Sequence, residues 1–358
     1  MVSDAHGLGL LLCRWTGPRQ TEGNGGCAVG LFLAKKYRRL WAFILLGVGA
    51  FSSFGAGTGA FAQAGPAKPE TPATWSLVWS DEFDGAAIDP TKWSHVVDCW
   101  GGGNNEKQCY TERPENSFIK DGKLVIQARK ERRRGYALPL EQRTHKAARE
   151  QQVTLPFSSA KLTTKGKADW RYGRISVRAR LPQGQGTWPA IWMLPADEVY
   201  GPWAASGEID IMEAVNLGEP CPTCPNGVEN TILGTLHYGG AWPKNTFLSK
   251  TTPLVGNLDD FHTYTLDWDS GKMVWSIDGV PFATQTPATW HALQSPSRPS
   301  APFDQSFYLI LNLAIGGNLP EGRNLRGVSS KNFPKTMEID WVRVYKCERS
   351  HDTAACGE

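Results

Sequence analysis

The chain has little net charge: 38 Lys and Arg stand against 35 Asp and Glu among 358 residues, a formal excess of +3. No basic stripe is interleaved with aromatic residues, so a nucleic-acid partner is not expected. Long helical periodicity is almost missing, which leaves little room for a helical architecture. There is no Gly-x-Ser-x-Gly elbow and no His-Glu-x-x-His pair, so the sequence gives no support to a serine hydrolase or a zinc peptidase. No internal repeat is visible. Zinc at Cys221-Pro-Thr-Cys224 is the one metal alternative the cysteines raise, and no second Cys or His pair sits at ligand spacing to complete it.

Several things are abundant. Fifteen tryptophans, 38 glycines and 24 prolines suit a protein with many turns and flat indole faces. Such faces pack in cores, and they also stack on the apolar side of a pyranose. Near the N-terminus Lys35, Lys36, Arg38 and Arg39 precede an apolar run from Leu40 to Phe51. Small residues follow, with A-x-A patterns at Ala60-Phe61-Ala62 and Ala62-Gln63-Ala64. That order predicts a secretory signal peptide over 35–64 and a secreted or periplasmic product. The alternative is an N-terminal membrane anchor, weakened by Gly47, Gly49, Ser52, Ser53 and Gly55 within the run. Residues 1–34 form an unpatterned extension, which places the expected start downstream of Met1. Residues 65–74 read as a Pro- and Ala-rich linker, 75–347 as one domain, and 348–358 as a tail.

Cys13 and Cys27 lie upstream of the expected cleavage. The remaining six predict three disulfides in an exported chain. Proximity favours 99–109, 221–224 and 347–356, although spacing alone leaves 15 connectivities open.

Period-2 patterns dominate from Trp75 onward. Leu124–Ala128, Arg174–Arg180, Tyr264–Trp268 and Ile339–Tyr345 read as strands, and Phe307–Leu313 as a nearly unbroken apolar one. Met273–Ile277 is followed by Asp278-Gly279, a hairpin-turn signal. Glu141–Gln151 is the best helix candidate, within a basic insertion spanning Lys130–Pro156. Many short strands with turn signals predict an all-β sandwich or barrel.

The segment Gly207-Glu208-Ile209-Asp210-Ile211-Met212-Glu213-Ala214 carries the chemistry. On a strand, Glu208 and Asp210 share one face while Ile209 and Ile211 share the other. Strict alternation would then bury Glu213 unpaired, at high cost. One β-bulge at Ile211-Met212 restores it to the acidic face. Three carboxyl groups on one face must differ in proton affinity. Glycoside hydrolysis uses that difference, one acid protonating the leaving oxygen and one carboxylate attacking carbon. Retention of configuration asks for carboxyls ~5–5.5 Å apart. Glu208 and Glu213 would sit ~13 Å apart at Cα on a flat strand, a gap that inward-leaning side chains on a concave sheet can close. The same pattern also occurs as a solvated acidic surface.

Glu208-Ile-Asp-Ile-Met-Glu213 resembles the bulged signature of glycoside hydrolase family 16. Trp79–Gly85, Gly103–Tyr110, Tyr172–Arg174, Gly186–Leu194, Gly234–Gly239, Pro302–Gln305 and Asn312–Asn318 are similar to laminarinase segments, in order. The resemblance implies a β-jelly-roll sandwich of two antiparallel sheets with a concave cleft, and a retaining endo-β-1,3-glucanase acting on polysaccharide as a monomer without a required cofactor. It implies Glu208 as nucleophile, Glu213 as acid/base and Asp210 as a partner tuning the nucleophile. Trp188, Trp192 and Trp203 become stacking candidates, each equally suited to the core. Asn105 would reach donor subsites, His237 would sit near the acid/base, and Gln305 and Asn312 would bond sugar hydroxyls or support the sheet. Glu82, Gly122 and Asp340 match by order a structural calcium site, whose oxygen donors suit that ion. Two departures stand out: the Lys130–Pro156 insertion and a long, cysteine-paired loop over Glu219–Glu229, either of which could close one end of the cleft. Competing expectations are another polysaccharide, mixed-linkage glucan or galactan, and a non-catalytic glucan-binding protein. The bulge speaks against the lichenase-like branch, and the three intact acids against the binding protein.

Overall fold

The computed structural model describes residues 74–348. The expected signal segment, most of the linker and most of the tail lie outside them.

Nineteen strands, numbered in chain order, are present among the described residues. One sheet runs β17 (Val280–Gln285), β16 (Met273–Ile277), β15 (His262–Trp268), β10 (Gly173–Arg180), β19 (Lys335–Cys347), β5 (Lys123–Ala128) and β4 (Ser117–Lys120), with β1 (Trp75–Asp81) also paired to β19. The second runs β14 (Asn245–Pro253), β13 (Thr231–Gly239), β12 (Glu208–Ala214), β11 (Thr187–Pro195), β18 (Phe307–Ile315), β9 (Lys161–Thr163) and β2 (Ser94–His95). All pairings within both sheets are antiparallel. The result is the expected jelly-roll sandwich.

Alternation builds the core between the sheets. From β18 it takes Phe307, Leu309, Leu311, Leu313 and Ile315, and from β10 Ile175, Val177 and Ala179. The other face of β18 carries Tyr308, Ile310, Asn312 and Ala314, which lie on the side that bears the acids. Two Asp-Gly pairs turn hairpins. Asp278-Gly279 joins β16 to β17 as expected, and Asp121-Gly122 joins β4 to β5; all four residues hold positive φ. Turns that require left-handed conformation at both central positions favour this dipeptide.

The basic insertion is a two-stranded ribbon of β6 (Arg133–Tyr136) and β7 (Gln152–Leu155), lying off both main sheets. The expected helix shrinks to Lys146–Glu150, capped by the His145 side chain. The flanking strands take up the rest of the segment, because a ribbon satisfies its backbone groups in pairs while an exposed single helical turn is marginal. A parallel pair, β3 (Gln108–Tyr110) and β8 (Phe157–Ser159), follows the Cys99–Cys109 disulfide. Cys221–Cys224 is the second bridge observed. Cys347 is also disulfide-bonded, while Cys356, its expected partner, lies outside the described residues. Among the described residues no helix is long and apolar enough to cross a membrane.

Candidate active site

Strand β12 lies near the middle of the second sheet, between β11 and β13. Its register against β13 jumps from Asp210↔Thr235 to Glu213↔Leu233, so Ile211 and Met212 together oppose Gly234. Against β11, Met212 pairs with Ile191 and Asp210 with Trp192, leaving Ile211 as the inserted residue. Both apolar side chains enter the core, and Glu213 returns to the face of Glu208 and Asp210. The bulge predicted from buried-charge cost is therefore present, at the predicted dipeptide.

Two residues support it that the sequence did not single out. The buried Trp275, from the opposite sheet, donates its indole N–H to the Asp210 carbonyl at 2.9 Å. Gly234 makes room for that ring, since a Cβ there would lie 2.6 Å from Trp275 Cδ1. A glycine inside a strand was the available signal, because it marks close approach of another group. The indole's target could not be read from sequence.

The acids differ in surroundings. Glu208 accepts from Trp203 Nε1 at 2.7 Å and lies 3.5 Å from His237 Nε2. Asp210 is buried, with Oδ2 3.3 Å from the same His237 nitrogen. Glu213 accepts from Trp188 Nε1 at 2.9 Å. Burial first, and then the charges of Glu213 and Glu208, push the Asp210 carboxyl well above the usual carboxylate range. Burial likewise raises Glu213, against the opposing pull of the Trp188 hydrogen bond. At His237 burial disfavours the charged ring. The Asp210 contact and the charges of Glu208, Asp210 and Glu213 outweigh it and push the pKa up to about 9. Asp210 and His237 thus compete for a proton, and the stronger base, the imidazole, is where we place it.

His237 pairs directly with Glu208 across the strands, so it sits at the Glu208–Asp210 end rather than beside Glu213 as expected. Trp203 is 40% exposed and offers a free indole face. It is followed by His237 and Phe247 at centroid distances of 5.8 and 5.5 Å. Trp188 and Trp192 are partly buried on the acid face, not in the core. Asn312 is buried. It accepts from Trp192 Nε1 at 2.6 Å and donates to Tyr110 OH at 3.0 Å. Its amide fixes an indole rather than presenting itself to sugar. Gln305 donates to the Ser206 and Pro302 carbonyls, bracing the turn that leads into Glu208. Asn105 is exposed and donates to Asn318, on a loop joined to the end of β18 by the Glu106–Gly316 bridge.

The calcium set does not fit as its side chains stand. Glu82 receives both arms of Arg343 at 2.8 and 3.0 Å, and Asp340 is ion-paired with Arg178. Gly122 serves the β4–β5 turn. Both carboxylates are neutralised by guanidinium groups, and a cation would have to displace them. Two other groups bring three ligand atoms within 4.8 Å of one another: Glu208, Asp210 and His237, and Cys221, Cys224 and Glu229. The sulfurs of the second are joined to each other, which removes the zinc alternative.

A carboxyl whose proton affinity is raised, a second carboxyl held by an indole N–H beside an imidazole, and indoles beside both can cleave a sugar acetal with acid assistance. On an open face of a jelly-roll sandwich, this arrangement defines a glycoside hydrolase. Comparison with known proteins narrows the class: residues 104–342 match the model of glycosyl hydrolases family 16, and the chain belongs to that family. It is 38% identical over 285 residues to glucan endo-1,3-beta-glucosidase A1 of Niallia circulans, covering 76% of this chain and 38% of that protein. It is 36% identical over 336 residues to a beta-glucanase of Rhodothermus marinus, covering 89% of this chain and 99% of the relative. Among solved structures, the laminarinase of Rhodothermus marinus superposes with a TM-score of 0.60 at 35% identity, covering 77% of this chain and 98% of that one.

Proposed function

We propose that the protein is a secreted, retaining endo-β-1,3-glucanase. The observation that carries this is the bulge in β12, which gathers Glu208, Asp210 and Glu213 on one face within a chain whose relatives include endo-1,3-β-glucosidases. Glu213, whose proton affinity is raised, donates a proton to the glycosidic oxygen as the bond to the anomeric carbon breaks. Glu208, held by Trp203, attacks that carbon from the opposite face and forms a glycosyl ester. Glu213, now ionised, takes a proton from water, which displaces Glu208. The protonated His237, whose Nε2 lies between Glu208 and Asp210, holds Glu208 in position, and Asp210 in turn holds the imidazole. Trp203 supplies a stacking face for a sugar next to the cleaved bond. Export follows from the signal-like order of residues 35–64.

Product stereochemistry tests the roles. With azide, Glu208→Ala should convert an activated β-glycoside by one displacement into the inverted α-azide. Glu213→Ala should give the β-azide by two displacements. The reverse pairing would exchange the two roles. Inversion by the wild-type enzyme on laminarin would rule out the double displacement.

A further inference from the structure

A cavity of about 580 Å³ opens where the Glu219–Glu229 loop meets the start of β13 and the end of β14. On β13 the side chains of Thr231, Leu233, Thr235 and His237 alternate with the core residues Ile232, Leu236 and Tyr238, so Thr231 lies on the acid face. Leu233 pairs with Glu213 on one side and with Thr251 on the other. Of the cavity lining, Thr251 therefore stands in the same row as Glu213, and the Thr231–Pro253 pair is one same-face pair beyond it. Arg323 forms part of the wall, and its charge reaches Glu213.

The walls are fixed in advance. The loop is closed by Cys221–Cys224 and by backbone bonds from Gly218 N–H to the Glu229 carbonyl and from Glu229 N–H to the Glu219 carbonyl. Asn324 donates to the Pro220 carbonyl and to Glu229, and accepts from Asn216. Glu229 also accepts from the Thr231 amide at 3.0 Å, so its carboxylate is already occupied. Among the described residues Arg323 makes no ion pair with any acid. What the cavity offers is a free guanidinium and the hydroxyls of Thr223, Thr231, Thr251 and Thr252. These suit an uncharged polyhydroxyl ligand, and the volume accommodates a sugar.

The aromatic row Phe247–His237–Trp203 and the Trp192–Lys161 contact lie across the strands, from β14 to β9. The cavity lies off that line, at the strand ends. We propose that it is a subsite for a glucosyl side branch of the glucan, with Arg323 as its main donor. This rests on the glucanase reading above.

The test compares kcat/KM on a linear β-1,3-glucan with that on a β-1,3-glucan bearing single glucosyl branches, using the full chain. Two variants are used: Arg323→Ala, which removes the donor, and Thr251→Trp, which fills the cavity from an exposed edge-strand position. The chemical step is common to both substrates, so any change at Glu213 divides out of the branched-to-linear ratio. Loss of hydrogen bonds to a charged donor should lower that ratio about tenfold or more in Arg323→Ala, and Thr251→Trp should lower it in the same direction. A ratio unchanged in either variant overturns the branch subsite alone. A wild-type enzyme inert on both polymers overturns the glucanase reading and the subsite with it.

Discussion

At the residue scale, His237 links the three acids. Its cation lowers the proton affinity of Glu213 and Asp210, so His237→Gln should move the alkaline limb of the kcat/KM–pH profile to higher pH. A stability effect accompanies this. The histidine's pKa is raised on folding from 6.5 to about 9, so its contribution is complete below about pH 6.5 and is lost as pH rises through about 9. The melting-temperature difference between wild type and His237→Gln should narrow across that window. A constant difference from pH 6 to pH 10 would mean that folding does not raise the ring's pKa. Glu213→Gln should lower kcat on laminarin by roughly 10²–10⁴-fold with little change in fold by circular dichroism. A substrate whose leaving group needs no proton should recover much of the rate of glycosyl-enzyme formation.

At the element scale, the bulge in β12 depends on a residue from the other sheet. Trp275→Phe keeps most of the packing but leaves the Asp210 carbonyl buried without its donor, which costs about 1–3 kcal/mol. Denaturant unfolding should show that loss. Activity should fall as well, because the same carbonyl sets the strand's path between Glu208 and Glu213. Gly234→Ala meets the same ring from the facing strand, and overpacking of this kind costs about 1–3 kcal/mol. The two changes share one contact, so their effects should not add. Additive losses in the double variant would separate the bulge from the ring.

At the scale of the whole molecule, the two carboxylates that the family resemblance assigned to calcium are already ion-paired. Arg343 and Arg178 already neutralise Glu82 and Asp340. Added calcium should therefore leave the melting temperature unchanged, and a chelator should not lower it. A calcium-dependent rise would show that the arginines yield. Disulfides contribute instead. Opening the bridge that spans ten residues from Cys99 to Cys109 should cost about 2.5–3 kcal/mol on loop-closure grounds. Cys99→Ala/Cys109→Ala should show it as a lowered denaturant midpoint.

The amino-acid sequence by itself determined the strand-rich fold, since period-2 alternation is local and survives without tertiary knowledge. It also determined the bulge, because burying Glu213 unpaired is costly enough to exclude the regular strand. The Asp278-Gly279 hairpin and the two short-range disulfides were legible for the same local reasons. The polar edge strand Asn245–Pro253 was not, because one side of an edge strand pairs with nothing and its residues carry little alternation. Only the tertiary structure decided what the polar site residues do. Asn312 and Gln305 hold an indole and a turn, His237 faces Glu208 rather than Glu213, and Trp275 reaches across the core to the bulge. Such roles depend on which donor meets which acceptor over long sequence separations. Residue type states what a side chain can bond, and the packing of the two sheets selects the partner.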